Sequence, residues 1–156
     1  AGLAIFDGLA SSDVRMPVVL FVDDEAAMRR VVQHALSLHG VEVYTADGLE
    51  GAQRQCERHA FDGAIVDVWL GDGSGFELYS WLQEHQPRVA RNTVFVTGDI
   101  AANADLSRTI RALGRPVLMK PFDFRELEDV IRGWSRPSGG YPAVPGASPT
   151  PDTRAR

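Results

Sequence analysis

From about Pro17 to Arg136 the chain alternates between two hydrophobic patterns. Short runs rich in β-branched residues are each followed by a longer stretch whose apolar residues recur at helical spacing. Five strands are predicted on this basis: Val18 to Val22, Val41 to Thr45, Ala64 to Val66, Thr93 to Val96 and Val117 to Met119. Because a helix is predicted after each strand, the segment is a strand and helix unit repeated five times.

The predicted strands are almost continuously apolar, which is typical of parallel strands covered by helices on both faces. Right-handed crossovers on such a sheet give an α/β fold of the doubly wound type, with a five-stranded parallel sheet between two helical layers. Ligands of this fold class bind outside the carboxyl ends of the strands. The candidate functional residues are therefore expected where the strands end.

The predicted helices carry start signals and core-facing stripes. In a capping box, the side chain of the N-cap residue accepts a hydrogen bond from the backbone N–H three residues later. The glutamate at that later position accepts one from the backbone N–H of the N-cap residue. Three such pairs are predicted: Asp47 with Glu50, Ser74 with Glu77, and Asp123 with Glu126. The core-facing stripe predicted for the first helix is Ala27, Met28, Val31, Ala35 and Leu38.

Composition divides the chain into one folded domain and two flanking segments. Hydrophobic residues make up 44% and charged residues 24%, as in ordinary globular domains. Residues 137–156 hold five of the nine prolines among glycine, serine and alanine, which predicts a disordered tail. We therefore predict an N-terminal extension or linker over 1–16, a folded domain over 17–136 and a tail too short to form an output domain.

Charge and cysteine content exclude several classes of function. Sixteen basic against 21 acidic side chains give a net charge of −5, and no basic cluster is present to bind a phosphate backbone. Direct nucleic-acid binding is therefore not expected, and no apolar run is long enough for membrane insertion. The single Cys56 excludes an internal disulfide framework and a cysteine zinc cluster, and is expected to be a buried, inert thiol. These features favour a cytoplasmic protein.

Polar side chains follow four of the five predicted strands. Asp23 and Asp24 follow strand one, Asp67 follows strand three, Thr97 follows strand four and Lys120 follows strand five. Parallel strands end at the same edge of a sheet, so these groups should converge on one crevice. Carboxylates that lie close together need a cation, and Mg²⁺ prefers such oxygen ligands while leaving room for a phosphoryl group. An aspartate can itself act as a nucleophile, and Asp67, at the end of a central strand, is the best candidate.

These residues resemble the receiver domain of two-component response regulators, over roughly Pro17 to Trp134. The acidic pair follows a strand, Asp67 comes 43 residues after Asp24, Thr97 comes 30 after Asp67, and Lys120 is followed by proline. The resemblance implies a flavodoxin-like fold with strand order 2-1-3-4-5. The segments 94–99 and 114–116 look most like receivers at the C-terminal end of hybrid sensor histidine kinases.

The resemblance also implies a role for each matching residue. Asp67 would accept the phosphoryl group, and Thr97 and Lys120 would bind it. The Lys120–Pro121 peptide bond would be cis. Asp24, Asp67 and the backbone carbonyl of Trp69 would bind Mg²⁺ directly, with Asp23 acting through a metal-bound water. The partner would be a histidine kinase or a histidine phosphotransfer protein, and a homodimer is left open.

Two positions depart from the family pattern. Gly71 stands where a proline is common, which should loosen the loop after Asp67. Val117 stands where an aromatic residue is usual, three positions before the lysine, so the familiar coupled motion of a hydroxyl and an aromatic side chain is not expected. Neither change removes a residue that the resemblance assigns to the site.

Other classes of function compete with this interpretation. A phosphohydrolase of the haloacid dehalogenase type also combines aspartates, a hydroxyl group, a lysine and Mg²⁺, but there the nucleophile comes first and a second aspartate follows two residues later. Here the acidic pair comes first, and Trp69 is two residues after Asp67. A flavin mononucleotide binder would have a phosphate-binding loop where this chain has Asp23, Asp24 and Glu25. A receiver kept only as a docking module would not need the complete set of site residues.

Overall fold

The computed structural model describes residues 15–98 and 104–134. Five strands and five principal helices alternate along them. They are β1 Val18–Val22, α1 Ala26–Ser37, β2 Glu42–Ala46, α2 Leu49–Arg58, β3 Gly63–Asp67, α3 Gly75–His85, β4 Thr93–Thr97, α4 Ala104–Leu113, β5 Val117–Met119 and α5 Phe124–Trp134. A small hairpin, Trp69–Leu70 with Gly73–Ser74, lies between β3 and α3, and a short helix, Pro87–Arg91, precedes β4.

The five strands form one parallel sheet in the order β2-β1-β3-β4-β5. The predicted fold class and strand order are confirmed. Strand β3 is central and fully buried, as a strand covered by helices on both faces must be. Because β1, β3, β4 and β5 are neighbours, the residues at their carboxyl ends are brought to one edge of the sheet.

Alternating residues of the sheet pack into two separate hydrophobic cores, one on each face. On one face, Val19 and Phe21 of β1 pack with Val32 and Leu36 of α1 and with residues of α5. On the other face, Leu20 and Val22 belong to the core that includes α2, α3 and α4. Two helices therefore cover one face and three cover the other, which gives the predicted three-layer sandwich.

Helix α1 buries a stripe that only partly matches the predicted one: Met28 packs against the core as predicted, but the most buried residues differ. Val32 and Leu36 are fully buried, whereas Val31 and Leu38 are 53% and 71% exposed. The sequence is apolar at both Val31 and Val32, so helical spacing alone allows two rotations of the helix. The contacts of Val32 and Leu36 with β1 and α5 select the second rotation.

Two of the predicted helix starts are confirmed at their cap residues. Ser74 and Glu77 form the predicted capping box of α3. At α5 the Asp123 side chain accepts from the backbone N–H of Arg125 at 2.9 Å, whereas the Glu126 N–H donates to the Asp123 carbonyl, so the cap residue is as predicted but its partner is Arg125 and not Glu126. The prediction for α2 was wrong, because the N-cap is Gly48 and not Asp47. The N-cap of helix α1 is Glu25, the residue after Asp24.

The predicted N-terminal extension and tail fall largely outside the described residues. The segments 1–14 and 135–156 are outside them, so the predicted N-terminal extension and disordered tail remain predictions. Arg15, the first described residue, pairs with the carboxylate of Asp62, which also accepts a hydrogen bond from the backbone N–H of Val18 at 2.9 Å. Within the described residues, no helix combines the length and the apolar character needed to cross a membrane.

Candidate functional site

The carboxyl ends of the strands bring Asp23, Asp67 and Lys120 into direct contact. Lys120 Nζ lies 2.6 Å from Oδ2 of Asp23 and 2.7 Å from Oδ2 of Asp67. The peptide bond between Lys120 and Pro121 is cis, as predicted. The predicted convergence of strand-end residues therefore holds for both buried aspartates and for the lysine.

Asp67 is the last residue of β3, and its side chain is fixed from two sides. Its Oδ2 accepts from Lys120, and its Oδ1 accepts a hydrogen bond from the backbone N–H of Trp69 at 3.0 Å. Behind it, a Cβ at Gly75 would overlap the backbone carbonyl oxygen of Asp67. The chain can turn back this closely because position 75 has no side chain. The carboxylate is consequently held facing the crevice.

The two aspartates after β1 differ in environment. Asp23 is fully buried; its Oδ1 accepts from the backbone N–H of Glu25 at 2.9 Å, and its carbonyl oxygen accepts from the Arg29 guanidinium at 2.8 Å. Asp24 is exposed, which leaves its carboxylate accessible from solvent. One carboxylate oxygen from each of Asp23, Asp24 and Asp67 lies within 4.8 Å of the other two. This hard oxygen donor set fits a divalent cation such as Mg²⁺.

Thr97 and Trp69 border the same crevice. Thr97 ends β4 and is fully buried, and its carbonyl oxygen accepts from the backbone N–H of Lys120 at 2.9 Å. It therefore lies between the strands that carry Asp67 and Lys120. Trp69 reaches the site through its backbone, while its side chain is 55% exposed. Asp99, two residues after Thr97, lies outside the described residues.

Burial and charge act in opposite directions on this cluster. Burial raises the pKa of Asp67, and the hydrogen bonds from Lys120 and from the Trp69 N–H oppose that rise only in part. Burial would lower the pKa of Lys120, but its hydrogen bonds to Asp23 and Asp67 outweigh that effect and raise it. Lys120 is therefore a protonated cation, and its charge offsets only part of the desolvation of the Asp67 carboxylate.

Two supporting residues were not identified from the sequence. Asp72, in the hairpin after β3, accepts hydrogen bonds from the backbone N–H groups of Leu49 and Glu50 at the start of α2. Arg29 holds the Asp23 carbonyl from α1. No local pattern could have revealed either contact, because the partners of Asp72 lie more than twenty residues away and Arg29 resembles any exposed helix arginine. By contrast, Cys56 is buried as predicted, and burial raises the pKa of its thiol to about 11.

Comparison with known protein families identifies the class of this chain. The family model for the response regulator receiver domain matches residues 19–132. That match covers most of the chain, which therefore belongs to the response regulator receiver family of two-component systems. The comparisons give no support to the phosphohydrolase alternative.

Individual relatives agree with the family match. The transcriptional regulatory protein GltR of Pseudomonas aeruginosa is 33% identical over 110 residues, which are 70% of this chain and 45% of that protein. A response regulator receiver protein from Pseudomonas putida has a TM-score of 0.68 and 26% identity, covering 76% of this chain and 98% of that one. Chemotaxis protein CheY4 of Vibrio cholerae has a TM-score of 0.67 and 27% identity, and the match again covers 76% of this chain and 98% of that one. This chain thus spans under half the length of GltR but nearly all of the two solved receivers.

Proposed function

We propose that Asp67 accepts a phosphoryl group from a phosphohistidine donor. One carboxylate oxygen of Asp67 attacks the phosphorus, the P–N bond breaks, and the imidazole of the donor leaves with the electron pair and takes up a proton. The product is an acyl phosphate on Asp67 and a neutral donor histidine. The observation that carries this proposal is the position of Asp67, a buried strand-end carboxylate in contact with a lysine and beside two further aspartates.

Lys120 and Thr97 receive the charge of the transferred group. In the unphosphorylated protein Lys120 Nζ contacts Asp23 and Asp67, so it lies where a phosphoryl oxygen on Asp67 would need a counter-charge. Thr97, at the end of the adjacent strand, supplies a hydroxyl donor to a second phosphoryl oxygen. A fixed ammonium and a fixed hydroxyl stabilise the transition state better than mobile water would.

Asp24, Asp67 and the backbone carbonyl of Trp69 hold Mg²⁺ directly in this proposal, and Asp23 holds it through a water. Receiver domains bind Mg²⁺ at an acidic pocket, and the three carboxylates here cluster closely enough to form one. When bound, the ion neutralises negative charge on the acceptor carboxylate and on the incoming phosphoryl oxygens. The Asp23 carboxylate already accepts hydrogen bonds from the Glu25 N–H and from Lys120, so it is oriented before any ligand binds.

The donor in this proposal is a histidine kinase or a histidine phosphotransfer protein, in the cytoplasm. The phosphorylated chain changes conformation, and a partner reads that change; the acidic net charge does not favour direct nucleic-acid contact. A homodimer is compatible with this scheme. The segments 94–99 and 114–116 favour a hybrid histidine kinase as the parent protein. The chain performs one self-catalysed transfer and a slow autodephosphorylation, and is not a conventional turnover enzyme.

Phosphotransfer tests this proposal directly. The chain is incubated with a panel of ³²P-labelled kinases and phosphotransfer proteins, in Mg²⁺ and in EDTA. We expect label to move to the chain only in Mg²⁺, and hydroxylamine to remove it, because hydroxylamine cleaves acyl phosphates. Label that resists hydroxylamine, or transfer that is equally fast in EDTA, would show that the chemistry is different.

A further inference from the structure

The start of helix α2 is capped by a residue from another part of the chain. Its N-cap, Gly48, has no side chain, so the first backbone N–H groups of the helix need an acceptor from elsewhere. Asp72 supplies it: Oδ1 accepts from Leu49 N at 2.8 Å and Oδ2 from Glu50 N at 3.3 Å. The hydrogen bond from Leu49 lowers the pKa of Asp72, as expected for a carboxylate at the positive end of a helix.

The absence of a side chain at Gly48 leaves room for the Asp72 carboxylate. A Cβ at position 48 would overlap the carboxylate of Asp72. The backbone of Gly48 is extended, with φ of −173°, a conformation that any residue adopts. A side chain at position 48 would therefore displace the Asp72 carboxylate, whereas the backbone conformation of Gly48 does not itself call for glycine. Gly48 and Asp72 together form what we call the α2 clasp.

The clasp joins α2 to the loop that follows the acceptor aspartate. Asp72 lies in the turn of the hairpin in which Trp69 pairs with Ser74 and Leu70 with Gly73. The far end of the hairpin is fixed by the capping box of Ser74 and Glu77. The clasp is the second anchor, so the hairpin is fastened to α2 through Asp72 and to α3 through Ser74.

The backbone of Trp69 depends on this hairpin. Its N–H donates to Oδ1 of Asp67 at 3.0 Å, and its carbonyl is a metal ligand in the proposed function. Gly71, in the position where a proline is common in the family, has no atom within 4 Å of where a Cβ would be, so it adds no restraint of its own. The clasp therefore restrains the turn at Gly71 and Asp72, beside the buried side chain of Leu70 on the strand before it.

We infer that Asp72 is a positioning residue for the acceptor site: by capping α2 it holds the hairpin that presents the Trp69 carbonyl and the Trp69 N–H to the site. The inference rests on the proposed function, since it concerns the geometry of the metal ligands. Asp72 itself does not touch the phosphoryl group or the ion.

The test replaces each of the two clasp residues in turn, and Mg²⁺ affinity is measured by calorimetry on the whole chain. We expect Asp72→Ala and Gly48→Ala each to weaken Mg²⁺ binding by about tenfold, as loss of an orienting contact around a metal typically does. Because both changes break one contact, the double variant should be no weaker than the single variants. Asp72→Asn, which keeps one acceptor oxygen, should recover part of the loss, and Asp105→Ala, an exposed aspartate on α4, serves as control.

The unfolding free energy, measured on the same variants, separates positioning from capping alone. If stability falls in both clasp variants while the Mg²⁺ dissociation constant is unchanged, Asp72 is only a helix cap and the inference is wrong. Losses that add up in the double variant would also contradict a shared contact. A wild-type chain that binds no Mg²⁺ would overturn the proposed function and, with it, this inference.

Discussion

The Nζ atom of Lys120 lies 2.7 Å from Oδ2 of Asp67, although 53 residues separate them in the sequence. The same ammonium is 2.6 Å from Asp23. Lys120 is the only lysine in the chain. Its ammonium lies at the one cluster of three carboxylates found among the described residues. It balances only part of the charge of three carboxylates, and the remaining negative charge favours a metal ion.

Replacing Lys120 should separate metal binding from phosphoryl transfer. In Lys120→Met the ammonium no longer competes as counter-ion, so we expect Mg²⁺ to bind more tightly, on the order of tenfold. Phosphorylation should nevertheless be slower by about 10²-fold, because a charge that stabilises the transferring group is lost. Arg132→Met, an exposed cation on α5, is the control. Faster phosphorylation together with tighter Mg²⁺ binding would contradict the role given to Lys120.

Asp67 should destabilise the metal-free protein at neutral pH. Burial raises its pKa above the unfolded value, so its contribution to stability is present below about pH 4 and is lost as the pH rises through the folded pKa. We expect Asp67→Asn, which cannot ionise, to melt about 2–4 °C higher than wild type at pH 7 in EDTA, and the difference to disappear near pH 3.

Thermal unfolding at both pH values measures this effect. Asp105→Asn, an exposed carboxylate, should show no such difference. A wild-type protein that is as stable as Asp67→Asn at pH 7 would mean that Lys120 fully compensates the burial of Asp67.

Gly75 should be essential for the position of Asp67, whereas Gly71 should not be. A Cβ at Gly75 would overlap the Asp67 carbonyl oxygen and lie 3.0 Å from Val66 Cγ1, so Gly75→Ala should cost about 1–3 kcal/mol of stability and slow phosphorylation. Gly71→Ala meets nothing within 4 Å and should change stability by less than about 0.5 kcal/mol. Urea unfolding of the matched pair is the measurement, and equal losses would show that the tight turn is not the cause.

Trp69 is expected to prolong the life of the phosphorylated state. Hydrolysis of an acyl phosphate needs a water in line with the phosphorus, and the indole is bulky and has no acceptor with which to orient that water. Trp69→Asn should therefore dephosphorylate faster than wild type at saturating Mg²⁺. Leu38→Asn, an exposed apolar residue at the far end of α1, should leave the rate unchanged. An unchanged or slower rate in Trp69→Asn would exclude shielding.

Much of the fold and of the acidic pocket could be predicted because both depend on local signals. The strands are short apolar runs, and Asp23, Asp67 and Lys120 stand at strand ends, which share one edge of a parallel sheet. The strand order itself was implied by the family resemblance and not by local signals. The structure places these three side chains in contact, as their strand-end positions predicted.

The features that were missed depend on contacts between distant segments. The pattern around Asp47 matches a capping box, but the acceptor at α2 is Asp72, which competes successfully because the hairpin lies against the helix start. The rotation of α1 was ambiguous for a similar reason: Val31 and Val32 are both apolar, and only packing against β1 and α5 decides between them. Local spacing contains neither piece of information.

Mass spectrometry of the phosphorylated chain shows whether Asp67 is the phosphoryl acceptor. After incubation with acetyl phosphate and Mg²⁺, the intact protein should gain the mass of one phosphoryl group, and borohydride reduction should mark Asp67 alone. The added mass should be absent from Asp67→Asn and present in Asp105→Asn, the matched control. A phosphoryl group that persists in Asp67→Asn, or that maps to another residue, would contradict the assignment of Asp67 as the acceptor.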